Sequence, residues 1–163
     1  MNFELQYQIE QFLFKKAELC DAQDWDGYLA LFSEDSVFHL PQWDSEHVYT
    51  TDPKRGMSLI YYPNRGGLED RVFRIRTGKA ASATPMPRTL HQISNVRIYP
   101  LEGGELEVRV NWQTLYYRQS TSEQFYGRAT YTLRPHGDSW LISKKHTVLL
   151  NDMINSVLDF YHI

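Results

Sequence analysis

Beyond Pro85 and Pro87 the chain leaves helical spacing for a two-residue repeat that persists to Leu150. Such a repeat buries its apolar side chains only as strands, and four runs stand out: Leu90 to Tyr99, Glu105 to Tyr117, Phe125 to Arg134 and Trp140 to Leu150. Glu102-Gly103-Gly104, the Ser/Thr-rich stretch Ser120 to Ser122 and Pro135 to Asp138 separate them, connections short enough to join neighbours into an antiparallel meander. In the second run Leu106, Val108, Val110 and Trp112 alternate with Glu105, Glu107, Arg109 and Asn111, so one face is buried and the other is wet.

The amino-terminal half follows a different period. Leu5, Ile9, Phe12, Leu13 and Cys20 recur at helical spacing, which predicts a long amphipathic helix with Lys15, Lys16 and Glu18 outward. Asp24 reads as the cap of a second, short helix with Trp25, Tyr28, Leu29 and Phe32 inward, ahead of a brief strand from Val37 to Leu40. Pro41 to Met57 lacks a period and reads as a long loop, a kind that is usually functional or interfacial. A third helix begins near Gly66 and Gly67, buries Leu68, Val72 and Ile75, and stops at Gly78. Helices first and strands afterwards describe an α+β fold, its curved sheet wrapped around the helices.

At 163 residues the chain is long enough for one well-buried core and too short for two ordinary domains, so one domain is expected. A formal charge of -3 with scattered Lys and Arg gives no general attraction to nucleic acid or anionic lipid. No signal pattern or long apolar run is visible, and a lone Cys20 makes no internal disulfide, so a soluble cytoplasmic protein is expected. Aromatics make up 14% of the residues, a bias that suits either a ligand cavity or a protein interface.

Six histidines invite a search for metal chemistry. A Rieske cluster needs two thiolates, which one cysteine cannot supply, and the nearest local ligand group, His39, Asp44, Glu46 and His47, matches no helix or strand spacing. Acid–base chemistry would draw on Asp24, His39, Tyr49, His91 and His146, a histidine acting as base and a tyrosine polarising a carbonyl, as in cofactor-free isomerases and dehydratases on small α+β cones. Each of these residues also has a structural reading, as a helix cap, a satisfied strand histidine or an interface aromatic. The Gly66-Gly67 pair suits a turn before a helix, Arg71, Arg74 and Arg76 a solvated helix side or subunit contact, and Cys20 a packed thiol.

Three stretches carry a family resemblance: Ser58 to Gly78 (SLIYYPNRGGLEDRVFRIRTG), Pro85 to Ile98 (PMPRTLHQISNVRI) and the tail Leu149 to Ile163 (LLNDMINSVLDFYHI). Together they resemble the small (beta) subunits of aromatic-ring-hydroxylating dioxygenases, over nearly the whole chain. Phe38 to Tyr62 and Thr77 to Thr89 are most similar to the anthranilate members of the benzoate, toluate and anthranilate branch. The Lys79-Ala80-Ala81 run departs from the family, where a bulkier residue often follows the Thr-Gly. The resemblance implies a nuclear-transport-factor-2-like (NTF2-like) cone and an α3β3 hexamer. It also implies a Rieske [2Fe-2S] cluster and mononuclear Fe(II) on the large subunit, and a separate reductase using NADH and flavin. No catalytic, cofactor or metal residue is implied in this chain, which would supply scaffold and docking. The contact surface is expected at Trp43, Tyr49, Tyr61, Tyr62 and Arg65 and at the tail residues Phe160, Tyr161 and Ile163, since aromatics and Arg dominate interfaces. Core packing of the tyrosine pair and a pinned tail is the alternative.

Overall fold

The computed structural model describes residues 2–155 and 157–163. Asn2 accepts a hydrogen bond from the Leu5 amide and opens α1 (Phe3–Asp21); Asp24 does the same for Gly27 and opens α2 (Trp25–Leu29). Strand β1 (Phe32–Pro41) and the short β2 (Ser58–Tyr62) flank the long loop, which we term the strap, and α3 (Gly66–Arg76) follows. The meander is β3 (Arg88–Pro100), β4 (Leu106–Arg118), β5 (Thr121–His136) and β6 (Ser139–Leu149), and a 3-10 turn over Phe160–His162 comes last.

All six strands form one sheet in the order β2-β1-β6-β5-β4-β3. Every pairing is antiparallel except β1 with β6, which runs parallel from Phe32 opposite Ile142 to His39 opposite His146. Alternation in β4 is as the sequence predicts: Leu106, Val108, Val110 and Trp112 are buried while Arg109 and Asn111 are exposed. That inner face receives Ile9, Phe12 and Leu13 of α1, Trp25 and Tyr28 of α2, and Leu68 and Val72 of α3 in one core cluster.

Four local expectations change. Phe32 belongs to β1 rather than to α2, because the strand is ten residues long and its inner side chains, Phe38 and Leu40, extend the core. β2, unmarked in the sequence, forms because β1 offers it an edge. Thr121 and Ser122 belong to β5, and the turn is the pair Gln119-Ser120, both at positive φ. Lys16 is buried rather than outward, on the same stripe of α1 as Ile9, Leu13 and Cys20. No helix among the described residues is long and apolar enough to cross a membrane.

Candidate functional site

Of the five residues considered for acid–base chemistry, His39, Tyr49 and His146 come together, while Asp24 and His91 lie apart. Asp24 is spent on capping α2. His39 and His146 sit side by side where β1 meets β6, ring centroids 5.2 Å apart, with Tyr49 of the strap 5.9 Å from His146. His39 Nε2 lies 2.8 Å from Ser58 Oγ, and Trp43 fixes the strap by donating its indole N–H to the Leu149 carbonyl oxygen at 2.8 Å. Burial, the neighbouring His39 and Lys144 push His146 down to about 4, so the cluster is neutral near pH 7. Cation-free imidazoles packed among aromatics hold the strap on the sheet.

His91 is elsewhere, inside the cone. Its Nδ1 lies 2.5 Å from Asp21 Oδ1, and Asp21 also accepts from the His91 amide and the Thr89 hydroxyl. Lys16, Lys145 and Tyr131 face the same interior, and Lys145, wholly buried, donates to the Ile163 main-chain oxygen at 3.2 Å. Burial and the adjacent Lys16 force the Lys145 amine well below its ordinary range. Asp21, Lys16, Lys145 and Tyr131 escaped the sequence reading. For both lysines the signal was positional, Lys16 on the apolar stripe of α1 and Lys145 at an inward position of β6. The cavity that Lys16, His91, Tyr131 and Lys145 share measures about 10 Å³, room for one water at most, whereas small-molecule pockets run to roughly 300–1,000 Å³. Phe160, Tyr161, His162 and Ile163 fill the cone instead. The pocket that a cofactor-free isomerase or dehydratase needs is therefore not formed by these residues.

The tail is pinned by its own chemistry. Asp159 caps the Phe160–His162 turn and takes an ion pair from Arg71, so Arg71 is neither a solvated side chain nor a free contact residue. Phe160 stacks on Tyr28 at 5.5 Å and meets Trp25 at 5.3 Å, and His162 stacks on Tyr116 at 4.9 Å. Phe160, Tyr161 and Ile163, expected at a contact surface, lie in the chain's own core, because an aromatic turn completes the open end of the cone. Tyr62 is half-buried over Gly67 and packs on Phe38. Arg65 is held by Glu69 and the Phe32 carbonyl oxygen, Trp43 and Tyr49 are half-buried against each other, and Tyr61 remains exposed.

For metals the donors are wrongly disposed. Among the described residues no three His, Cys, Asp or Glu side chains gather around one point. His39 is bonded to Ser58, Asp44 accepts from Thr50, and Glu46 and His47 are exposed. Cys20 is buried in the core, where burial raises its thiol to about 12.

Comparison with known proteins places this filled cone in a family. Residues 15–156 match the family model described as the ring hydroxylating beta subunit. The chain is 61% identical over 163 residues, all of both proteins, to the anthranilate 1,2-dioxygenase small subunit of Acinetobacter baylyi. The crystal structure of the benzoate 1,2-dioxygenase beta subunit from Burkholderia mallei superposes with a TM-score of 0.79 at 41% identity, covering 95% of each chain. Naphthalene 1,2-dioxygenase with indole bound gives 0.80 at 18% identity over 96% of this chain and 84% of that one, a likeness of fold alone. An NTF2-like cone closed by its own tail, the family match and the full-length identity lead to one conclusion: the chain belongs to the beta, or small, subunits of the aromatic-ring-hydroxylating dioxygenases.

Proposed function

We propose that the chain is the small subunit of an anthranilate 1,2-dioxygenase, docked on a large subunit in a cytoplasmic α3β3 hexamer. The observation that carries this reading is the 61% identity running the whole length of both proteins. In this reading the Rieske cluster and mononuclear iron reside on the large subunit, and a reductase using NADH and flavin supplies electrons. Both atoms of oxygen enter the ring, and loss of ammonia and carbon dioxide leaves catechol. This chain's residues do not fit either iron group, since the only thiol is buried and protonated and, among the described residues, the His39–His146 pair has no third ligand beside it.

Its part is then mechanical. The filled cone is a rigid block, and the strap with the β2 edge is the docking face: Val48, Met57, Leu59 and Tyr61 are exposed there, next to the half-buried Trp43 and Tyr49. Apolar side chains grouped on a sheet edge mark an interaction site. The whole chain, within one domain, serves that role.

Co-expression with the large subunit and reductase tests both levels of the reading. An equimolar complex with iron on the larger chain, forming catechol from anthranilate, is the expected result. A complex that oxidises benzoate but leaves anthranilate untouched would overturn the substrate and keep the subunit role. Failure to assemble would overturn the subunit role. Replacing Leu59 and Tyr61 by Ser should abolish assembly without changing the chain's own unfolding midpoint, whereas Trp43→Ala should lower both; normal assembly of the double variant would remove the β2 edge as the docking face.

A further inference from the structure

Inside the cone, α1, β3, β5, β6 and the tail meet around the cavity of about 10 Å³, where Lys16, His91, Tyr131, Lys145 and Ile163 line one space. The protonation pattern of the His91 ring follows from its neighbour. The Asp21 carboxylate can only accept; it takes the His91 amide at 2.9 Å and lies 2.5 Å from Nδ1, so Nδ1 carries the proton and Nε2 keeps its lone pair. Burial opposes a second proton on the ring. Nε2 is itself buried, and no donor among the described residues reaches it. A buried lone pair without a donor forfeits a hydrogen bond, and such groups are regularly completed by internal water.

Donors line the same cavity. Lys145 gives one N–H to the Ile163 main-chain oxygen at 3.2 Å and shares a second bond with Lys16, which also reaches the Tyr131 hydroxyl. Two amines joined by one hydrogen bond need a lone pair on one of them, so one is uncharged, and burial together with the neighbouring Lys16 makes it Lys145. An uncharged Lys145 accepts from Lys16 and carries two N–H groups, of which Ile163 takes one and the cavity has the other. Trp112 also lines the space, but its indole N–H is already given to the Arg128 carbonyl oxygen. One acceptor and one donor therefore face a volume that is about the smallest able to hold a water and far too small for an organic ligand.

We propose that this cavity is the binding site of one structural water, which donates to His91 Nε2 and accepts from Lys145 Nζ. The bridge runs from Asp21 on α1 through His91 on β3 to Lys145 on β6 and Ile163 in the tail, so a single solvent molecule ties the closing turn to a helix and to two strands that do not pair with each other. The proposal goes beyond the subunit reading and concerns this chain alone, so it stands or falls separately. Proton–nitrogen correlation spectra of the histidine rings and a high-resolution crystal structure, both of the full chain, test it. His91 should be protonated at Nδ1 and bare at Nε2, and one solvent peak should lie within hydrogen-bond distance of Nε2 and Lys145 Nζ. His91→Phe keeps a ring in place without an acceptor and should remove that peak while Lys145 stays on Ile163. A proton on Nε2, a cavity without solvent density in the unaltered chain, or a water that persists in His91→Phe would each overturn the proposal. The first two are read on the unaltered chain and decide the matter even if the variant fails to fold.

Discussion

At the scale of single residues, two backbone positions carry more constraint than their side chains suggest. Gly127 lies in β5 opposite Leu149, and a Cβ built there would stand 1.8 Å from the Val148 carbonyl oxygen. Backbone cannot retreat as a side-chain tip can. Gly127→Ala should therefore lower stability by about 3 kcal/mol or more, read as a fall in the urea midpoint or in soluble yield. Gln119 and Ser120 form the two-residue turn between β4 and β5 with φ of +49° and +65°, a conformation that favours Asn-Gly. Ser120→Gly should raise the midpoint, by about 0.5–1 kcal/mol, since it relieves left-handed strain at one position. The Ser/Thr run placed this turn to within a residue but not its geometry, because neither Gln119 nor Ser120 is the type such turns prefer, and nothing local marks Gly127 as a point of close backbone approach. Lys16 was misleading in a similar way. A lysine ordinarily marks the wet face, and only the register of its neighbours says otherwise.

Among the elements, the 3-10 turn at Phe160–His162 is the one whose retention depends on named bonds. Arg71→Ala would leave the Asp159 carboxylate, 4% exposed, without its cation. A loss of about 3 kcal/mol is expected, with increased protease cleavage near Leu158 as the accompanying sign. His162 adds a pH dependence. Its Nδ1 accepts from the Asp159 amide, which can only donate, so the ring must be neutral, and burial pushes it down to about 4. Between pH 6.5 and 4 the unfolded chain binds a proton that the folded chain refuses. Stability is thus complete above pH 6.5 and falls as pH drops through that window, by at most about 1.4 kcal/mol per pH unit for this group. His146 acts in the same direction. His162→Gln keeps an acceptor in the capping box and should flatten the slope of urea midpoint against pH; an unchanged slope would show that His162 does not report on the tail. The meander strands, α1 and α3 were legible because each runs long enough for its period to show, and the five-residue α2 through its Asp24 cap. β2 has five residues and no period of its own, and the tail turn is irregular, so their positions come from partners distant in sequence. The same reason hid the site. Asp21 meets His91, and Arg71 meets Asp159, across separations that no local pattern records.

The whole molecule shares one core cluster among α1, α2, α3, the sheet and the tail. No subset of these can bury its apolar face alone. Thermal unfolding should therefore be a single transition, with tryptophan fluorescence and far-ultraviolet circular dichroism coincident; two separated transitions would contradict the single-domain proposal. The parallel contact of β1 with β6 has a bearing on how the protein is made. During synthesis β1 emerges early and finds β2 directly, but its other edge, from Phe32 to His39, faces only solvent until Ile142 to His146 have left the ribosome. A nascent chain carries that open edge for most of its translation, exposed to pairing with neighbouring chains. Completion of the sheet is consequently tied to the rate of elongation, and synonymous changes that slow the ribosome between α3 and β6 lengthen the interval in which aggregation competes with folding.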